Sequence, residues 1–222
     1  MWKASDSVGR IELLNKMGDD LMVVNAARVS FHKQSNQMTA GDAKLIKYLA
    51  DHEHVSPFFH PQIQFRIKMP IFVAREWYRH QIGFSRNEVS RRYVDTPPEY
   101  WTPAPQEIRE RDPKLKQGSK ETPVEDAVAV YGMMEDHCRN TVHLYKSLLD
   151  KGVAPEIARS VLPQSMYTEF IETGSLAAYA RLYRLRTSPD AQREIQAYAR
   201  GIGEMLAREF PFSWAALTSS DE

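Results

Sequence analysis

"QIQFRIKMPIFVAREWYRHQ", residues 62–81, changes its hydrophobic period at a proline. Over 62–69, Ile63, Phe65, Ile67 and Met69 alternate with Gln62, Gln64, Arg66 and Lys68, which gives an extended chain one apolar and one polar face. The spacing predicts a half-buried strand. Pro70 lacks a backbone donor and ends it. Past the proline, Phe72, Val73, Glu76, Trp77 and His80 recur at three- and four-residue intervals, so "IFVAREWYRHQ" is expected to be helical.

Upstream, "DDLMVVNAARVSF" (19–31) reads as an apolar helix opened by aspartates, and Asp42 as the cap of a second helix, "AKLIKYLA". Downstream, Thr122, Pro123 and Glu125 make a helix start, followed by Ala127, Val128, Tyr131, Met134, Cys138, Leu144 and Leu148 until Gly152 stops it. A short helix is expected from Pro155 to Leu162. "SMYTEFIET" (165–173), rich in β-branched and aromatic residues, reads as a strand. Gly174 and Ser175 open the helix "SLAAYARLYRLR", and Ser188 with Pro189 opens a last one to about Glu209. Residues 94–123 hold six of the 13 prolines and read as a long Pro-rich loop, a length that often serves as a lid. This order predicts an α+β fold, a small antiparallel sheet with a helical majority, in a single domain over residues 1–222.

Composition limits the function classes. At 222 residues, with 42% hydrophobic and 26% charged content, the chain can bury a substantial core. Lys plus Arg, 29, equal Asp plus Glu, 29, so no global field draws the protein to nucleic acid or an anionic membrane. Neither partner is expected. Cys138 is the sole cysteine, which leaves no disulfide, CxxC pair or thiolate zinc cluster and fits a reducing cytoplasm. The N-terminus has no apolar signal core, and no apolar run approaches the ~20 residues that span a bilayer.

The chemistry concentrates in "RHQIGFSRNEVSRRYV" (79–94). From Arg75 to Arg92 there are five arginines and no lysine. Arginine's planar fork grips phosphate or carboxylate with two parallel bonds, whereas lysine acts as a point charge. A solvated face laced by ion pairs to Glu76 and Glu88 is the plain alternative. Trp77, Tyr78, Ile82 and Phe84 interleave these charges and Gly83 interrupts them, which suits the wall of an anion site better than an exposed helix. A nucleic-acid stripe would use the same arginines and aromatic rings, but should extend beyond one segment.

Other motifs are weaker. GxGxxG, GxxxxGK[ST] and GxSxG are absent. "HEHVSPFFH" (52–60) groups His52, His54 and His60, either as ligands of a metal-dependent phosphohydrolase or as histidines satisfied near a helix end. The second is favoured, since the spacing is not HExxH and no cysteine supports it; no metal is expected. Cys138 falls on the apolar stripe of its helix and reads as an inert buried thiol. Ser90 could be a nucleophile, but its neighbours are cations rather than a base, so its hydroxyl reads better as a phosphate ligand.

"RHQIGFSRNEVSRRY" resembles the signature of the flavin-dependent thymidylate synthases: Arg-His-Arg, a seven- or eight-residue spacer, a serine, an Asn-Glu pair and a closing Arg-Tyr. "AARVSF" (26–31), "HVSPFFH" (54–60), "PIFVAREWYRH" (70–80), "ARSVLP" (158–163) and "LRTSPDAQREIQ" (185–196) are similar to that family's blocks, in the same order. The resemblance implies a homotetramer that binds FAD and has active sites built from several chains. It implies methylation of dUMP at C5, with 5,10-methylenetetrahydrofolate as carbon donor and NADPH as the reductant of the flavin. Carried over by residue, flavin contacts fall on Ser30, Ser56, Arg79, His80, Gln81 and Glu88. Ser175 and Arg181 occupy the region of a further flavin contact. Nucleotide contacts fall on Glu76, Arg79, Glu88, Ser90, Arg91, Arg92 and Arg159. His54 matches a histidine linked to turnover, and Arg186 the arginine that faces the uracil ring. Such chemistry needs no enzyme thiol, which accommodates a lone cysteine. Three departures stand out: Gln81 replaces the signature's second arginine, the spacer from Gln81 to Ser90 is the longer, eight-residue form, and Ser175-Leu176-Ala177 replaces an Asn-x-Arg.

Overall fold

The computed structural model describes residues 1–94, 96–114 and 118–219. In chain order the elements are β1 (Trp2–Lys3), β2 (Arg10–Met17), α1 (Asp20–Arg28), α2 (Ala40–Asp51), β3 (Gln62–Pro70), α3 (Ile71–Trp77), β4 (Phe84–Glu88), β5 (Arg109–Arg111), β6 (Ser119–Pro123), α4 (Ala127–Asp150), α5 (Pro155–Ala158), β7 (Tyr167–Ser175), α6 (Leu176–Arg186), α7 (Arg193–Glu209) and α8 (Pro211–Thr218). Five strands form a sheet in the order β1-β2-β3-β7-β4, and β5 and β6 form a separate antiparallel pair. The α+β class with a helical majority and small antiparallel sheets is as expected.

By contacts the chain divides into two compact units, where the sequence suggested one domain. The first comprises Met1–Ile67, Trp77–Asn87 and the chain from Phe170 onward; the second comprises Lys68–Glu76 and Glu88–Glu169. In the first unit, β1 pairs antiparallel with β2, Trp2 opposite Ile11. The alternation in β3 does what the sequence implied: Ile63, Phe65 and Ile67 are fully buried. Each such side chain contributes roughly 1.5–3 kcal/mol on burial. Phe65 meets the Tyr179 ring edge-on at 5.3 Å, and α6, α7 and α8 pack on one another. Both α1 and α2 form, but the cap of α2 is Thr39. Thr39 Oγ1 accepts from the Asp42 amide at 3.2 Å, while Asp42 Oδ2 accepts from the Thr39 amide at 3.0 Å. Asp42 is therefore the third residue of a capping box, not the cap. Helix α7 starts at Arg193 rather than at Ser188, because Ser188 closes a turn, accepting from the Ala191 amide and donating to Asp190.

In the second unit, α4 runs for 24 residues and buries Cys138 and Tyr145. It begins at Ala127, later than Thr122 and Pro123 suggested: residues 119–123 pair as β6, and the Val124 amide donates to Ile108 O at 2.8 Å. The segment 94–123, read as one loop, holds a short 3-10 turn at Pro105–Glu107 and the β5–β6 hairpin. Asp95 and residues 115–117 of that segment lie outside the described residues. Amides of Ile71 and Phe72, opening α3, donate to Met166 O and Gln164 O at 2.9 and 3.0 Å. The Phe72 and Trp101 rings lie 5.2 Å apart.

Candidate active site

Helix α3 stops at Trp77, four residues before the sequence suggested. The His80 amide donates to Trp77 O at 3.1 Å and the Phe84 amide to Gln81 O at 3.1 Å, so residues 78–83 turn back into β4. Gly83 makes that turn possible. Its φ is +84°, and a Cβ there would lie 2.9 Å from the Ala178 Cβ and 3.2 Å from Ser175 Oγ. Arg181, on α6, fixes the same turn through Nη2 to Ile82 O at 2.6 Å. An Arg-His-Gln run that continued a helix would spread its side chains around the axis. The turn instead presents them beside α6.

His80 is buried, at 8% exposure, and its Nε2 accepts from Arg186 Nε at 2.9 Å. Burial first, and then the charges of Arg186, Arg181, Arg86 and Arg79, hold its pKa down to about 4. The ring is therefore neutral near pH 7, with its proton on Nδ1. A neutral acceptor among these guanidinium groups adds no charge of its own and cancels none of theirs. This is an anion-seeking surface with a fixed hydrogen-bond geometry.

Behind it lies a group that the sequence reading missed. Glu172 of β7 is fully buried and accepts from Trp77 Nε1 at 3.1 and 3.2 Å and from Arg86 Nε. Burial pushes this carboxyl up, against the pull of Arg86. Arg86 packs over the Phe84 ring at 4.8 Å and the Tyr78 ring at 5.4 Å. The signal was present in "YTEFIETGS": residues 168, 170, 172 and 174 face inward, so Glu172 is a carboxylate on the core side of an alternating strand.

Apart from Glu88, which belongs to the second unit, the other flavin candidates occupy the same unit. Ser30 lies in an exposed 3-10 turn, Val29–Phe31, after α1. His54 and Ser56 are exposed, and Ser56 opens the 3-10 turn Ser56–Phe59, which packs against α1 and α6. Phe59 of that turn comes within 3.9 Å of a Cβ placed on Gly83. Arg79 and Gln81 are exposed on the signature turn. Ser175 is 1% exposed, and its Oγ accepts from the Ala178 amide at 3.2 Å as the cap of α6. His52 caps α2, its ring 4.0 Å from Tyr48 and its Nδ1 2.9 Å from Tyr48 O. Among the described residues no three His, Cys, Asp or Glu side chains are grouped to hold a metal ion. Cys138 is buried, 3.3 Å from Ser165 Oγ.

The second unit carries the nucleotide candidates other than Arg79 and Arg186. A cleft of about 450 Å³ is lined by Glu88, Arg91 and Arg159 together with Glu156, Tyr167 and Thr168. Glu88 accepts from Thr168 Oγ1. Arg91 donates to Thr96 O, and Arg92 pairs with Glu156 at 3.1 Å. Ser90 Oγ accepts from the Arg92 amide at 3.3 Å and so shapes the turn that presents Arg91 and Arg92. Glu76 is half-buried on α3 and, like Ser90, is not part of the cleft lining. The roles of Thr168 and Glu156 left no motif in the sequence.

Comparison with known proteins agrees with this geometry. Residues 12–212 match the family model described as thymidylate synthase complementing protein. The chain is 40% identical over 209 residues to a flavin-dependent thymidylate synthase of Thermus thermophilus, covering 94% of this chain and 75% of that one. It is 39% identical over 211 residues to that of Thermosipho africanus, covering 94% and 90%. The fold matches the UMP/dUMP methylase PolB of Streptomyces cacaoi, solved with 5-Br dUMP bound, at a TM-score of 0.85 and 31% identity over 95% of this chain and 94% of that one. The likeness read from the signature turn thus extends to the whole described fold, and the chain belongs to the thymidylate synthase complementing protein family.

Proposed function

We propose that the protein is a flavin-dependent thymidylate synthase that methylates dUMP at C5 to give dTMP, with 5,10-methylenetetrahydrofolate as carbon donor and NADPH as reductant of FAD. The observation that carries this reading is the neutral His80 held by Arg186 among Arg79, Arg86 and Arg181, on the signature turn of a chain in this family. The donor set fits a flavin dinucleotide: guanidinium forks suit a pyrophosphate, and Gln81 offers an amide where a second arginine would stand. Bound there, FAD would supply the hydride that the methyl group needs. Arg79, His80, Gln81, Glu88, Ser30, Ser56, Ser175 and Arg181 are the residues assigned to hold it, Ser175 through its place at the start of α6.

Arg186 has the central chemical role. A fixed cation beside the uracil N3 and carbonyls favours an enolate-like charge distribution, which makes C5 and C6 reactive. His80 orients that cation without cancelling it, because a neutral ring accepts a hydrogen bond and adds no charge. Glu76, Arg79, Glu88, Ser90, Arg91, Arg92 and Arg159 are assigned to the nucleotide, with the Arg91 and Arg159 cleft suited to its phosphate. His54, exposed near the flavin candidates, is assigned to turnover. Family resemblance supports a homotetramer with shared active sites and a cytoplasmic location; among the described residues no helix is long and apolar enough to cross a membrane.

A visible spectrum of the purified protein tests the cofactor. A flavin band bleached by NADPH under anaerobic conditions is expected, and a colourless protein that takes up no added FAD would overturn the reading.

A further inference from the structure

The Glu172 carboxylate bonds to both ends of the segment that carries Arg79, His80 and Gln81: Trp77 Nε1 before it and Arg86 Nε after it. Glu172 stands on β7 three residues before Ser175, the cap of α6, and α6 ends at Arg186. We propose that Glu172 is a positioning residue: by pinning Trp77 and Arg86 to β7 it fixes the turn between them, so that His80 meets Arg186 in hydrogen-bonding register.

Energetics favour this role over a purely stabilising one. Taking a carboxylate and a guanidinium out of water costs several kcal/mol, and an apolar pair of similar volume is often as stable or more so. What the ion pair adds is direction. Its charge-assisted bonds fix Arg86 Nε, and the rings of Phe84 and Tyr78 lie against the same guanidinium. The turn is also tied from the α6 side, by Arg181 to Ile82 O and by the Ser175 amide to Gly83 O at 3.1 Å, and β4 pairs with β7 through its backbone. Glu172 supplies the ties at the ends of the segment. Without it, the Trp77 and Arg86 side chains lose their bonds to β7, and the turn is left with the ties from the α6 side and the β4–β7 backbone pairing.

The inference rests on the reading of this cluster as the reaction site, but its first readout does not. In the full-length protein the His80 ring is followed by NMR as pH falls, its signal identified with His80→Gln. Arg79, Arg86, Arg181 and Arg186 are the charges that bear on it, and the wild-type midpoint is expected at about 4. If Glu172 positions the turn, Glu172→Gln hydrates the ring and raises the midpoint by about one unit or more, toward the ordinary value. Loss of negative charge alone predicts the opposite sign, since an uncompensated Arg86 would lower it. Trp77→Phe changes no charge, withdraws one tie, and is expected to raise the midpoint by a smaller amount; it decides the matter if Glu172→Gln does not fold. A lowered midpoint in Glu172→Gln, or an unchanged midpoint in both variants with reduced thermal stability, overturns the proposal. In turnover, Glu172→Gln is expected to lower kcat about tenfold with KM for dUMP within about twofold. A wild-type protein that does not turn over dUMP would refute the proposed function while the titration still decides the positioning.

Discussion

His80 concentrates the physics of the site in one side chain. A histidine whose folded pKa is about 4 binds its proton more readily when unfolded, where the ordinary value is 6.5. Its contribution to stability is therefore complete above about pH 6.5 and is lost as the pH falls toward 4. Urea unfolding at pH 7.5, 6 and 5 should show the wild type losing more stability over that window than His80→Gln; parallel losses would mean that the ring is not held neutral by its surroundings. Ser90 offers a second test at this scale. Its hydroxyl accepts from the Arg92 amide and shapes the turn beside it, so Ser90→Ala should retain turnover and raise KM for dUMP about three- to tenfold. Abolished turnover with substrate binding intact would restore the serine as a nucleophile.

At the scale of elements, legibility in the sequence followed hydrophobic period. Strand β3 and helix α6 were readable because their apolar residues recur at the right interval and Pro70 and Ser175 mark their ends. Strand β2 was not, because it buries only Ile11 and sets Leu13 beside Leu14. The β5–β6 hairpin was invisible for the same reason: "RER" and "SKETP" carry no apolar face, and polar contacts such as Arg109 Nε to Ser119 Oγ at 2.7 Å and Lys120 to Glu110 hold them. Helix α8, "PFSWAALT", is apolar on nearly all sides and shows no period to detect. The helix read over 71–81 overran into the first residues of the signature, since only its three-dimensional neighbours reveal that the chain turns back there, with Gly83 at a positive φ. Gly83→Ala should therefore cost about 1–3 kcal/mol in chemical denaturation, from backbone strain and the Ala178 contact. A neutral result would mean that the turn relaxes freely.

Across the whole molecule, a net charge of zero conceals a concentration of arginines on the signature turn and α6 in one unit, and in the other a cleft where Arg91 and Arg159 stand with Glu88 and Glu156. Family likeness named candidates in both units but not Glu172, which stands outside every segment that carries the likeness and was signalled only by the inward phase of its strand. The family likeness supports a tetramer, so light scattering should give about four times the chain mass; a monomer with full activity would contradict shared sites. The central claim is that Arg186, held by a neutral His80, polarises the pyrimidine. The direct measurement is single-turnover dTMP formation by flavin-loaded Arg186→Ala beside the wild type, with saturating dUMP and methylenetetrahydrofolate. The expected result is an unchanged flavin spectrum with the rate reduced by about a hundredfold or more. Flavin-loaded Arg186→Ala that forms dTMP at near wild-type rate would contradict it.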